Sequence, residues 1–336
     1  MKRSRWIGLA CLPVLLAGPA AAQVSLNAAG ATFPQTIYQK WFQEFKEAQI
    51  NYQALGSGAG IRQLTAGTVD FGASDMPMTD EDMAKMKVRP LHFPTVLGAV
   101  VPVYNIPGVT GELKFTPDAL AGIYLGEIKK WNDAKITSQN PGVKLPAEDI
   151  VTVHRSDGSG TTFVWVDYLH KVSPAWAGKV GKPAGSVMWP ASGLAGSGNP
   201  GVAGIVKQTP YSIGYVELIY AAQEKMPYGA VQNKAGKFVT ASVASVTAAA
   251  AGAAKSIPDD FRVSITNAEG AGAYPISSFT YLLIPSKIPD AAKKKAVVDF
   301  LKWMLDAGQK EAPGLDFAPL PASIVAKEKK QIAVIQ

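Results

Sequence analysis

The sequence predicts an α/β protein, because short strand-like runs alternate with segments of helical periodicity. VSLNAAGATF is typical of a strand followed by a glycine-rich turn, INYQALG predicts a second strand, and VDFGASD predicts a third that ends in a polar turn. Helical patterns follow the first two of these runs. Repeated units of strand, turn and helix favour a largely parallel sheet, which binds ligands beyond the carboxyl ends of its strands.

The predicted helices each carry an apolar stripe. The residues that recur at helical spacing after the first strand are Ile37, Trp41, Phe45 and Ala48. Those that support a helix after the second strand are Ile61, Leu64 and Val69. An alanine-rich stretch at 241–254 predicts a surface helix, and the chain from about residue 290 is helical and basic.

The middle of the chain predicts a second region of the same kind. FPTVLGAVVPVYNI, at 93–106, is long and β-rich enough to cross between domains, and DIVTVHRSDGSGTTF repeats the strand, turn and helix unit. The glycine-rich segment SGLAGSGNPGVAGIV contains no charged residue that could serve as a partner in an anion site, which favours a structural role for this loop. FRVSITNAEGAGAYPISSFTYLLI predicts extended chain returning to the first domain, so the N- and C-terminal parts share one domain.

The N-terminus predicts export. MKRSRW is basic, IGLACLPVLLAG is apolar but too short to span a membrane, and Ala20 and Ala22 form a cleavage site, so the mature chain is expected to begin at Gln23. Removal of this segment also removes Cys11, the only cysteine among the 336 residues. The mature protein would then have no disulfide, no thiolate catalysis and no cysteine-ligated metal.

The charge balance argues against nucleic-acid binding. Loss of Lys2, Arg3 and Arg5 with the signal peptide leaves 30 basic and 26 acidic residues, a formal charge of +4. The lysine clusters at 129–130, 293–295 and 327–330 are better interpreted as solvated faces than as a nucleic-acid groove. About 314 residues remain, enough for two domains or one large one.

Three turns share one chemical character: GATFP, GSGAGIRQL and GSGTTF. Each places glycine and a short hydroxyl side chain at a predicted helix start, where unpaired N–H groups bind anions. A helix cap is the ordinary interpretation of any one of them. Arg155 adds a bidentate donor that Asp157 can orient, and Asp75 lies in an exposed-looking turn. Together these features predict an oxyanion site.

The same segments resemble the periplasmic phosphate-binding protein family of bacterial high-affinity ABC importers. The resemblance rests on AAGATFPQTIYQKW, NYQALGSGAGIRQL, TVDFGASDMPMT, FPTVLGAVVPVYNIPG, IYLGEIKKWND, HRSDGSGTTFVW, SIGYVE and LDFAPLP, in order through nearly the whole mature chain. It implies an α/β, two-lobed, hinged type II binding protein in which helices flank a central mixed sheet in each lobe. Residues 1–22 would be the signal peptide, 23–100 with 270–336 the first lobe, and 101–269 the second.

The resemblance also implies the ligand contacts. By motif, the phosphate-binding residues are Thr32, Phe33 through its backbone, Ser57, Asp75, Arg155, Ser159, Gly160 and Thr161. Asp157 matches the acidic residue that pairs with the arginine. The family's serine pair appears here as Ser57-Gly58, and His154 replaces what is often a second basic residue. The family implies a periplasmic monomer that uses no metal or cofactor, meets no nucleic acid, and docks on transmembrane permease subunits.

Two other classes of function remain alternatives at this stage. An exported hydrolase or phosphatase would need a nucleophile with a base, or metal ligands, but the sequence has no nucleophile elbow, no HExxH and no P-loop motif. A binder of sulfate, molybdate or another oxyanion would share the fold. Asp75 favours phosphate, because a carboxylate facing the anion requires a ligand that carries a proton.

Overall fold

A computed structural model describes residues 23–336 of the chain. The predicted signal peptide, residues 1–22, lies outside the described residues. Across the described range, every helix is too short or too polar to cross a bilayer.

Eleven strands form two sheets in the described part of the chain. In chain order they are β1 (Val24–Gly30), β2 (Ala48–Ala54), β3 (Phe71–Ser74), β4 (Pro90–Asn105), β5 (Lys114–Phe115), β6 (Val151–Arg155), β7 (Gly193–Gly196), β8 (Ser212–Glu217), β9 (Ala230–Gln232), β10 (Phe238–Val239) and β11 (Ser277–Pro285). The large sheet has the order β2-β1-β3-β11-β4-β8-β6-β7, and a small sheet has the order β10-β9-β5.

The large sheet is mixed, so the prediction of a largely parallel sheet is only partly correct. β1 is parallel to β2 and β3, and β6 is parallel to β7 and β8, whereas β11 and β4 run antiparallel to their neighbours. β4 pairs with β11 up to Ala99 and with β8 from Val100 onward. This strand divides the sheet into a first half, β2-β1-β3-β11, and a second half, β8-β6-β7. The lobe boundaries at 100 and 270 stay a prediction.

Helices cover the faces of these sheets. They are α1 (Gln35–Glu44), α2 (Ser57–Ala66), α3 (Asp80–Ala84), α4 (Pro117–Leu125), α5 (Ala134–Thr137), α6 (Gly160–Val172), α7 (Pro174–Val180), α8 (Gly198–Gln208), α9 (Leu218–Gln223), α10 (Val243–Ala253), α11 (Ala291–Trp303), α12 (Gln309–Glu311) and α13 (Ala322–Ile332). A π-helical turn, Met304–Gly308, joins α11 to α12.

The packing of α1 explains where the predicted apolar stripe stops. Ile37 and Trp41 are buried, and the Trp41 indole donates to the carbonyl of Gly308 at 3.0 Å. The helix ends at Glu44, and the extended Phe45 leads the chain away. Ala48 therefore begins β2, paired with Val24, rather than continuing the helix as predicted. Likewise α2 ends before Val69, at a left-handed Gly67.

Strand β4 is buried along almost its whole length and carries a bulge. The register with β11 shifts between Thr280 and Tyr281, so Thr95 has no partner in the ladder. Pro94, which lacks an N–H, lies beside this irregularity, where proline is tolerated in a sheet. The Thr95 hydroxyl donates to the carbonyl of Thr280 at 3.2 Å, and this bond holds the two central strands together at the bulge.

Candidate anion-binding site

The predicted site lies where several strands end and helices begin. β1, β3 and β6 end just before Thr32, Asp75 and Asp157, and α1, α2, α6 and α8 begin in the loops that follow strands. Their first-turn N–H groups have no partner within their own helices. The fold therefore brings the three turns predicted from sequence to one place, together with a fourth helix start that the sequence analysis assigned a structural role.

Arg155 is the cation of this site. Its side chain is 1% exposed; its Nε donates to Asp157 Oδ1 at 2.8 Å, and its Nη2 to Oδ2 at 2.5 Å. Within residues 23–336, the Nη1 atom is buried and has no hydrogen-bond partner. A buried guanidinium N–H costs free energy unless an acceptor faces it. Nη1 is therefore placed to donate to an anion.

Asp157 holds the arginine in this orientation. Its Oδ1 also accepts from the N–H of Gly198, the first residue of α8, at 3.0 Å. Partial burial alone would raise the pKa of Asp157, but the hydrogen bond and charge of Arg155 and the Gly198 N–H hold it below its ordinary value. The carboxylate stays ionised, so the predicted role of Asp157 in orienting Arg155 matches the geometry.

Asp75 is the acceptor of the site and is buried, not exposed as its turn suggested. Its Oδ1 accepts from the hydroxyl of Thr280, on β11, at 2.8 Å. Burial raises the pKa of Asp75 to about 7, although the Thr280 hydrogen bond and the charge of Arg155 act in the opposite direction. A carboxylate with a raised pKa is a strong hydrogen-bond acceptor, so the ionised form of Asp75 is suited to accept a hydrogen bond from a ligand that carries a proton.

The two halves of the sheet meet at Ser57 and Gly160. The Ser57 hydroxyl oxygen accepts from the N–H of Gly160 at 3.0 Å and from the N–H of Asp75 at 3.2 Å. A Cβ atom added to Gly160 would lie 2.6 Å from both Ser57 Oγ and Asp75 Oδ2, so only glycine permits this approach. Gly58, which stands where the family has a second serine, also joins the two halves. Its N–H donates to the carbonyl of Gly158 at 2.9 Å.

A second contact between the halves runs through Asn199. Its backbone N–H and its Nδ2 donate to Thr32 Oγ1 at 3.1 and 2.9 Å, and Nδ2 also donates to Thr161 Oγ1 at 3.1 Å. The Tyr220 hydroxyl donates to the carbonyl of Thr32 at 2.5 Å. The glycine-rich loop around Asn199, for which the sequence favours a structural role, therefore contacts two of the predicted site residues.

The remaining predicted residues occupy helix starts. Ser159 caps α6, its hydroxyl oxygen accepting from the Thr162 N–H at 3.0 Å. The ring of Phe33 is buried beneath Gly98 and packs against Phe317 with ring centroids 6.2 Å apart. Only the Phe33 backbone is left to contact a ligand, as the prediction specified.

His154 points away from this arrangement. Its ring stacks on Trp189 at 5.1 Å between centroids, and its Nδ1 lies 3.0 Å from the carbonyl oxygen of Arg155. Because side chains alternate along β6, His154 faces the side of the sheet opposite to Arg155. Across residues 23–336, no cluster of three or more histidine, cysteine, aspartate or glutamate side chains is arranged to hold a metal ion.

Comparison with known sequences gives concordant matches over nearly the whole chain. A profile of the PBP superfamily domain matches residues 17–307. The phosphate-binding protein PstS of Xylella fastidiosa strain Temecula1 is 48% identical over 306 residues, covering 90% of this chain and 83% of that protein. PstS of Pasteurella multocida strain Pm70 is 44% identical, covering 91% and 89%.

A solved structure matches the fold. A high-affinity periplasmic phosphate-binding protein, crystallised with phosphate, superimposes with a TM-score of 0.75 at 22% identity, covering 91% of this chain and 93% of that one. The likeness confirms the predicted α/β architecture of the two-lobed type II binding proteins. From the sequence identities and the extent of the matches, the chain belongs to the PstS family of phosphate-binding proteins, within the PBP superfamily.

Proposed function

We propose that the chain binds inorganic phosphate between the two halves of its sheet and delivers it to the transmembrane permease subunits of an ABC-type importer. Its relatives in Xylella and Pasteurella are named phosphate-binding proteins. The observation that carries the proposal is that the buried Nη1 of Arg155, which has no hydrogen-bond partner among residues 23–336, lies in the same site as the buried carboxyl group of Asp75. The guanidinium group binds the anion, and the carboxyl group accepts a hydrogen bond from the proton that phosphate retains.

The contacts proposed for phosphate follow from the donors in the site. Arg155 contributes Nη1, the starts of α1 and α6 contribute backbone N–H groups, and short hydroxyls complete the donor set. The residues assigned to the contact are Thr32, Phe33, Ser57, Asp75, Arg155, Ser159, Gly160 and Thr161, with Asp157 behind the arginine. The proposed role is binding without chemical change, because the relatives that share most of this sequence are named as phosphate-binding proteins.

A ligand held by both halves would favour the closed arrangement. Hydrogen bonds at Gly58, Gly160 and Asn199 join the halves, and an anion bound by both would add interactions that exist only when they meet. We propose that the closed form is the one that docks on the permease. The chain is proposed to act as a monomer in the periplasm, after removal of residues 1–22.

Calorimetric titration tests this function. Phosphate-free protein spanning residues 23–336 is titrated with phosphate, sulfate and arsenate at pH 7. Saturable binding of one phosphate, competition by arsenate and much weaker binding of sulfate support the proposal. Equal affinity for sulfate and phosphate would assign the site to oxyanions in general, and release of phosphate from an ester substrate would overturn the binding role.

A further inference from the structure

Asn199 makes hydrogen bonds to segments that lie far from it in sequence. It is the second residue of α8, its side chain is fully buried, and its amide connects three segments. The carbonyl oxygen Oδ1 accepts from the backbone N–H of Glu217, at the end of β8, at 2.9 Å. This bond fixes which end of the amide is the oxygen, so the Nδ2 group must face the other way, towards Thr32 and Thr161.

The direction of these bonds decides what the two hydroxyls can do. An amide N–H only donates, so Thr32 Oγ1 accepts from both the backbone and the side chain of Asn199, and Thr161 Oγ1 accepts from the second Nδ2 hydrogen. Each hydroxyl keeps its own proton for another acceptor. A site for an anion needs its hydroxyls in this donor state.

The serines of the site are oriented in the same way but by the backbone. Ser57 Oγ accepts from two N–H groups, and Ser159 Oγ accepts from the N–H of Thr162. Thr161 Oγ1 accepts from the Asn199 side chain, and Thr32 Oγ1 accepts from this side chain together with the backbone N–H of the same residue. That side chain belongs to the second half of the sheet, whereas Thr32 belongs to the first.

We propose that Asn199 is a positioning residue that directs the hydroxyl protons of Thr32 and Thr161 towards the bound anion as the two halves meet. It acts through these hydroxyls and does not touch the ligand. The inference rests on the proposed phosphate-binding function. It predicts that removal of the Asn199 side chain no longer weakens phosphate binding when the threonine hydroxyls are absent.

A double-mutant cycle tests this dependence. Asn199→Ala is made in the wild type and in the Thr32→Val, Thr161→Val background, and the phosphate dissociation constant is measured by calorimetry. Loss of hydrogen bonds to a charged ligand weakens binding about 10- to 100-fold. We therefore expect an effect of that size in the wild type and one below about threefold without the hydroxyls.

An aspartate at this position separates proton direction from packing. Asn199→Asp keeps the shape and the bond from the Glu217 N–H but offers an acceptor to the hydroxyls, whose protons then turn from the ligand. It should bind phosphate more weakly than Asn199→Ala. In the background without the hydroxyls, the difference between the two variants should shrink, whereas simple charge repulsion would leave it unchanged and overturn the inference.

Asn140→Ala is the matched control. Asn140 is also a buried asparagine with hydrogen bonds to backbone, donating to Lys114 and Ile136 and accepting from the Lys114 N–H, all away from the site. It should lower the melting temperature without changing phosphate affinity. Equal loss of affinity in both alanine variants, or an undiminished effect of Asn199→Ala without the hydroxyls, overturns the inference. A wild type that does not bind phosphate would instead refute the proposed function.

Discussion

Replacing Asp75 with asparagine tests which anion the site selects. In the wild type, Asp75 Oδ1 accepts from Thr280 and Oδ2 lies at the start of α6, within reach of a ligand. Phosphate near neutral pH carries a proton that it can donate to this carboxylate, and sulfate carries none. Asparagine in the same place can leave its oxygen with Thr280 and donate an N–H to sulfate, or turn over and accept from phosphate.

The size of the effect follows from the protonation of Asp75. An Asp carboxyl group in water has a pKa of 3.8, and burial raises that of Asp75 to about 7. A sulfate oxygen and the Asp75 carboxylate are both acceptors. Sulfate can therefore bind beside Asp75 without repulsion only if Asp75 takes up a proton as the halves close. Starting from a hydrated carboxylate, this costs about three pKa units at pH 7, or about 4 kcal/mol, which is roughly a 10³-fold loss of affinity. At pH 5 the same step costs roughly tenfold.

Calorimetry at the two pH values measures this directly. The wild-type preference for phosphate over sulfate should fall from about 10³ at pH 7 to about 10 at pH 5. Repeating the titrations in buffers of different ionisation enthalpy should show uptake of about one proton per sulfate at pH 7. In Asp75→Asn the preference should be small and nearly independent of pH, with phosphate affinity lowered by no more than about tenfold.

Two results would refute the reasoning. Equal discrimination by the wild type at pH 5 and pH 7 would mean that protonation of Asp75 does not limit sulfate binding. Undiminished discrimination by Asp75→Asn would assign selectivity to another part of the site.

Three further changes follow from the same geometry. Arg155→Ala should weaken phosphate binding roughly 10²- to 10³-fold. Arg155→Lys should restore only part of the lost affinity, because a lysine ammonium cannot hydrogen-bond to Asp157 and to the anion in the geometry of the guanidinium. Unchanged calorimetric affinity of the alanine variant would remove Arg155 from the site. Gly160→Ala should weaken binding about 10- to 100-fold by keeping the halves apart, whereas Gly178→Ala, whose added methyl group meets open space, should leave affinity unchanged. Without phosphate, the open halves leave the wild-type Asp75 hydrated with an ordinary pKa, so Asp75→Asn should change the free energy of unfolding nearly equally at pH 4 and pH 8; chemical denaturation in which the variant gains up to about 4 kcal/mol at pH 8 and little at pH 4 would mean that the ligand-free halves stay closed over a buried Asp75 and would contradict the sulfate argument.

Local pattern was enough to predict the elements that carry the site. β1, β3 and β6 end where the glycine and hydroxyl turns indicated, because a turn residue and a helix cap act within a few positions of chain. The same local logic misplaced Ala48, whose spacing fits the apolar face of α1. Its place is decided by pairing with Val24, a contact that periodicity alone cannot show.

Contacts between distant segments could not be predicted. Thr280 reaches Asp75 across 205 residues of sequence, and Asn199 reaches Thr32 across 167. The sequence signal at Asn199 was present, since GSGNPG has the same glycine and hydroxyl character as the other three turns. The segment itself contains no charged partner, and the fold supplies one in Asp157, which accepts from the Gly198 N–H.

The charges of the site do not by themselves favour an anion. The guanidinium of Arg155 is already paired on two of its nitrogens with Asp157, and Asp75 adds a second carboxyl group. Burial raises the pKa of Glu217 well above its ordinary value and so favours its neutral form. Attraction for the ligand therefore comes mainly from oriented dipoles: hydroxyl protons, backbone N–H groups, and helix starts equivalent to roughly half a positive charge each. Because such dipoles act only over short distances and in fixed directions, we expect the site to distinguish anions by where their protons lie more than by their total charge.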